Sequence, residues 1–284
     1  MLKRHSVLTA AIFLATLLFK PEAVWSGPIF LTGHDPDFHA QDSTGAQDLL
    51  RVGLTYALDG FFNDNVHRFL WVESALPVTG GHRRGSDAGL PAIGLTNIQD
   101  FTIVDGAGFA TANLSDYSAI GVASSFGGMF TSAELNAMIA RSADIKAFIN
   151  ACGGLFASAE CDTGVACDAS NMLAPHGPMY GYLPITVSSI PPSPPFTVTA
   201  FGTSLGLGNT DVNDPTHNSF GLVGGLNAID LDSANPQHAT TLAGRVRIGD
   251  GEFIPVDPIP EPTSMLLLGT GLAGLVARAR RRRS

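Results

Sequence analysis

The stretch AIGVASSFGGMFTSAELNAMIARSADIKAFINACGGLFASA, residues 119–159, holds the clearest structural unit of the chain. Ala119–Ala123 is a continuous apolar run, too short for a helix, and it ends in the turn residues SSFGGMF. That pattern predicts a strand buried on both faces. Thr131 and Glu134 have capping-box spacing, and Leu135, Met138, Ile139, Ile145, Phe148 and Ile149 follow at helical intervals. Gly153-Gly154 supplies a helix stop, after which Leu155–Ala159 resumes as a strand. A strand, a helix and a strand in this span make a right-handed parallel crossover.

Working toward the N-terminus, PIFLTGHDPDFHAQDSTGAQDLLRVGLTYAL (28–58) reads as a strand, a polar loop and a helix. Thr44 and Gln47 have the spacing of another capping box. Ala46, Leu49, Leu50, Gly53, Leu54 and Ala57 share a helical stripe. FLWVE (69–73) and FTIVD (101–105) are further short apolar strands. The class is α/β: a doubly wound, mostly parallel sheet, flavodoxin-like and three-layered, with helices on both faces. After Pro175 the chain is rich in Pro, Gly, Ser and Thr, with β-branched runs at 185–187 and 196–200, so a loop- and strand-rich part completes the domain.

The ends have a different character. Lys3 and Arg4 precede an apolar run, Val7–Phe19, and then a polar break. This is the pattern of a secretory signal peptide over residues 1–26. The run has 13 residues, against roughly 20 for a spanning helix. At the other end, Met265–Ala277 is uncharged and apolar, and Arg278, Arg280, Arg281, Arg282 and Arg283 form a cationic stop held on the cytoplasmic side. Residues 251–262 form a Pro-rich linker, and 263–284 the apolar helix with its arginine cluster.

Pro260-Glu261-Pro262, an apolar helix and a terminal arginine cluster, in that order, resemble a PEP-CTERM sorting signal, found on exported proteins of exopolysaccharide-making Gram-negative bacteria. The resemblance implies processing near the Pro-Glu-Pro by an exosortase. The chain would then be membrane-anchored through its C-terminal helix before processing, and afterwards lie at the cell surface or outside the cell. Its implied partners are the export machinery, the exosortase, transiently the inner membrane, and exopolysaccharide or biofilm matrix.

Between the ends, residues 27–262 carry eight basic and 24 acidic residues. A body this acidic argues against nucleic acid or anionic lipid as a partner, and it suits divalent cations as counter-ions. In an oxidising compartment Cys161 and Cys167 can close a local disulfide; three free thiols are the other reading. Cys152, at the end of a helix, is expected to be a small buried hydrophobe.

The order LTGHDPDFH, then VASSFGGMFTSAELNAMIARSADIKAFINACGGLFASAE, is similar to the class I glutamine amidotransferase-like superfamily, nearest to trehalose-utilisation-type domains of secreted proteins. It covers roughly residues 28–245, within a domain placed at 27–250. Active members of that family hold a cysteine on a tight elbow with a downstream histidine. Here the elbow falls in FASAEC (156–161), with Ser158, Ala159 and Glu160 near its tip and His217 downstream as a base. An elbow needs small residues two positions to each side. Ser158 has Phe156 and Glu160 there, so no catalytic residue is assigned.

A second candidate site is GHDPDFH (33–39), which follows the first strand. Ligands of open parallel sheets bind at the carboxyl ends of strands. His34, Asp35, Asp37 and His39, joined by Glu160 from another strand end, offer donors suited to a divalent metal such as zinc. Against this stands the ordinary turn chemistry of Asp-Pro. Two functions follow: a non-catalytic binding or matrix-associated module, or a metal-assisted hydrolase of carbohydrate or amide bonds.

Overall fold

A computed structural model describes residues 26–62, 64, 66–159, 179–183, 186–187, 189–190, 192–214 and 218–256. The first strand, β1 (Pro28–Thr32), leads through the short helix α1 (Pro36–His39) to α2 (Thr44–Ala57). Next come β2 (Phe69–Val72), α3 (Gly89–Ala92), β3 (Phe101–Val104) and α4 (Gly106–Thr111). The crossover predicted at 119–159 is present as β4 (Ala119–Val122), α5 (Ser132–Ala140), α6 (Ser142–Asn150) and β5 (Gly154–Ser158), with β4 and β5 parallel neighbours.

The C-terminal part contributes β6 (Ser189–Ile190), β7 (Phe196–Val198), α7 (Ala200–Ser204), β8 (Ser219–Gly221), β9 (Asn227–Ala228) and β10 (Asp230–Asp232). It ends in β11 (His238–Ala239), β12 (Thr241–Ile248) and β13 (Phe253–Pro255). The main sheet has eight strands in the order β13-β12-β1-β5-β4-β2-β3, with β9 also on β12. β1, β5, β4, β2 and β3 run parallel, while β12 is antiparallel to β1. The result is a mixed, mostly parallel sheet in a three-layer α/β arrangement. Phe253–Pro255, which the sequence places in the linker, is a strand.

Right-handed connections assign the helices to faces. β1 to β2 to β3 steps one way across the sheet, and β3 to β4 to β5 steps back. Right-handed crossovers therefore put α1–α3 on one face and α4–α6 on the other. The contacts agree: α1 packs on α2 and α3, α4 on α5, and α5 on α6. Aromatic rings fill the sheet surface. Phe156 stacks on Phe30 at 5.9 Å and on Trp71 at 6.4 Å, and Phe69 stacks on Phe101 at 5.4 Å. Gly121 makes room for Trp71, since a Cβ there would lie 2.5 Å from the indole ring.

Four local expectations change. The cap of α2 is Ser43, not Thr44: its Oγ accepts from Ala46 N, while Gln47 Nε2 donates to Ala40 O. The reason is tertiary, because Asp214 accepts from both the Ser43 hydroxyl and Ala46 N. The capping box at Thr131 and Glu134 is present, but the helix breaks at Arg141, leaving Ile139 exposed. At the end of α6 the left-handed residue is Cys152, with φ 77°, and not a glycine. Gly153 N then donates to Phe148 O, closing a Schellman-type stop. Cys152 is exposed, because that stop turns its side chain out of the core.

Candidate functional site

Chains leave β2 toward one face of the sheet and β4 toward the other, so the switch point lies between the carboxyl ends of these neighbouring strands. Buried carboxylates gather there. Glu73 closes β2 and is 1% exposed; its carboxylate accepts the Ser86 hydroxyl and, at 3.4 Å, Ser86 N. Burial pushes the Glu73 carboxyl up, against the pull of its hydrogen bonds from Ser86. Asp37, from α1, is fully buried and accepts from Ser124 N, just beyond β4, at 2.9 Å. Burial pushes its carboxyl up to about 7, helped by the charges of Asp35 and Glu73. Asp37 Oδ1 has no hydrogen-bond partner among the described residues.

Glu73 and Ser86 also line a cleft of about 390 Å³ at the carboxyl ends of β2 and β3. Arg84, Asp87, Val104 and Asp105 are among its other walls. Gly85 brings the lining turn close to the acids: a Cβ there would sit 2.9 Å from Asp37 and 3.1 Å from Trp71. No motif in the sequence marks Glu73 or Ser86. A charge at the end of the otherwise apolar FLWVE was the available signal for the first.

The residues of the GHDPDFH loop do not share one ligand shell. His34 is 2% exposed, with Nδ1 on Asp214 O at 2.9 Å and Nε2 on Thr240 Oγ1 at 3.0 Å. Both ring nitrogens are taken, which leaves none for a metal. Asp35 pairs with His39 at 3.3 Å, and that bond raises the His39 pKa. Asp37 points to Ser124 instead, and Glu160 lies outside the described residues. Among the described residues no group of three or more His, Cys, Asp and Glu side chains could hold a metal ion.

His34 has a different task. A carbonyl only accepts, so Nδ1 must donate to Asp214 O. Thr240 Oγ1 bridges Nε2 to Asp230 Oδ2, the latter at 2.6 Å. Satisfying all three bonds requires one proton more than a neutral imidazole and an ionised carboxylate provide. The Asp230 carboxyl is accordingly pushed up by burial, to about 7, despite its bonds from Thr240 and Thr241. Asp37 and Asp230 both hold protons more tightly folded than unfolded, where an aspartate titrates near ~3.9. Their contribution to stability is complete below that value and is lost as pH rises through about 7. The protein should therefore melt at a higher temperature at pH 5 than at pH 8, and Asp37→Asn should shrink the difference. A melting temperature that is flat or rises between these pH values would refute the assignment.

The remaining candidates separate. Arg84, in the GGHRRG loop, donates to Ala75 O and Leu76 O, and Arg83 to Asp87 O. Arg84 braces its own loop, and Arg83 also donates to Gln41 Oε1 in the turn after α1. Ser158 ends β5 as a regular, buried strand residue, and its Oγ has no partner among the described residues. Cys161, Cys167, His217, Pro260–Pro262 and the arginines at 278 and 280–283 lie outside the described residues, as do residues 1–25 of the segment expected to be a signal peptide. No helix among the described residues is long and apolar enough to cross a membrane.

By class, then, this is an α/β protein with an acid-lined cleft at the carboxyl ends of β2 and β3. The tail is more specific: residues 258–282 match the PEP-CTERM protein-sorting motif. That match supports a chain that is exported, recognised by an exosortase and sorted to the cell surface. No curated protein and no solved structure matches the chain.

Proposed function

We propose that this protein is processed at its tail by an exosortase, is then carried at the cell surface or released, and acts there as a matrix-associated binding module. The tail match at 258–282 carries the reading. The body is read as an amidotransferase-like domain that has lost the family's elbow nucleophile. In support, Ser158 continues β5 as regular strand where an elbow would need a strained turn. Its ligand surface is the cleft beside Glu73, with exopolysaccharide as the partner. An acidic, exported body suits solubility outside the cell.

The test is expression in a bacterium that has an exosortase, followed by intact mass measurement of the protein at the surface or in the medium. A C-terminus near Pro260–Pro262 is expected. A mature chain that still ends at Ser284 would refute the processing. Binding on a glycan array tests the body, and no bound glycan would overturn the matrix reading.

A further inference from the structure

We propose that Ser86 and Glu73 form a nucleophile and base that cleave carboxylic esters held in the cleft at the ends of β2 and β3. Three observations place the pair in working order. The Ser86 hydroxyl donates directly to the Glu73 carboxylate, and both residues line the cleft. Glu73 is fixed by further bonds from the turn that carries Ser86, at 3.4 Å from Ser86 N. Gly85 admits that turn against Asp37 and Trp71, where a side chain would collide.

A serine hydroxyl is a weak nucleophile until a base within hydrogen-bond reach takes its proton. Burial raises the basicity of Glu73, as a general base working near neutral pH requires. The chemistry closes without a cofactor. Ser86 Oγ attacks the ester carbonyl carbon as its proton passes to Glu73. The tetrahedral intermediate expels the alcohol, which leaves with that proton, and an acyl-serine remains. Water, deprotonated by Glu73, then attacks the acyl carbon; the acid departs and the proton returns to Ser86. Arg84, on the same cleft wall, supplies positive charge beside which the carbonyl oxygen becomes negative. This activity is independent of the tail, so its failure would leave exosortase processing untouched.

The experiment treats the purified full chain with a fluorophosphonate probe and maps the adduct by peptide mass spectrometry. Hydrolysis of p-nitrophenyl acetate is followed in parallel. A single adduct on Ser86 is expected, absent from Ser86→Ala. Loss of the base in Glu73→Gln should slow ester hydrolysis by at least ~100-fold. Ser86→Ala removes one oxygen and is expected to fold, with circular dichroism as the check. The wild-type adduct itself needs no variant. Failure of the folded wild-type chain to label at Ser86, or an ester rate unchanged in Ser86→Ala, would overturn the proposal.

Discussion

Replacing Pro260, Glu261 and Pro262 together by alanine is expected to leave the exported chain carrying its apolar run and arginine cluster to Ser284. The three residues fall inside the matched segment, 258–282, while Met265–Ala277 and the five arginines are untouched. Membrane delivery should therefore persist while processing stops. Proline fixes φ and disfavours helix in the residue before it, which suits a segment that must enter an enzyme cleft extended. Alanine is the best helix former and would disfavour that extended conformation. Fractionation and intact mass decide the outcome. The expected product is a membrane-retained chain heavier than wild type by the whole C-terminal piece. Normal release with the wild-type mass would show that another segment is recognised.

Phe156→Ala is expected to destabilise the body by about 3–5 kcal/mol. Phe156 lies in β5, between β1 and β4, and is fully buried. Its ring stacks on Phe30 and Trp71, and α2 rests on it at Gly53, where a Cβ would be 2.6 Å from the ring. Truncation therefore opens a cavity that touches both neighbouring strands and a helix, and a packed interior collapses only partly into such a space. Against a total stability of roughly 5–15 kcal/mol, the loss is large. Urea unfolding should show a lower midpoint with little change in slope. Val66→Ala, at a side chain 74% exposed, serves as the control, with an expected change within ~0.5 kcal/mol. Equal midpoints for the two variants would mean that Phe156 does not hold the layers together.

Much of the main sheet was legible because period and punctuation are local. Ala119–Ala123 and Leu155–Ala159 are short apolar runs between turn residues, and each became a strand within one residue. Glu134 lies three residues after Thr131, and the capping box formed. Where a distant group intervened, the same reasoning slipped. Asp214 moved the cap of α2 to Ser43, and Cys152 took the left-handed position assigned to a glycine.

The α/β class, the parallel crossover and the sorting tail are each written in contiguous residues and could be read there. The site depends on partners that folding brings from far along the chain. His34 meets Thr240 across 206 positions, and Asp37 meets Ser124 across 87. Glu73 finds Ser86 through a turn that Gly85 lets approach. A side chain becomes ligand, base or brace according to which partners surround it once water is excluded. For His34 those partners left no lone pair for a metal, and for Glu73 they placed a serine hydroxyl at the cleft.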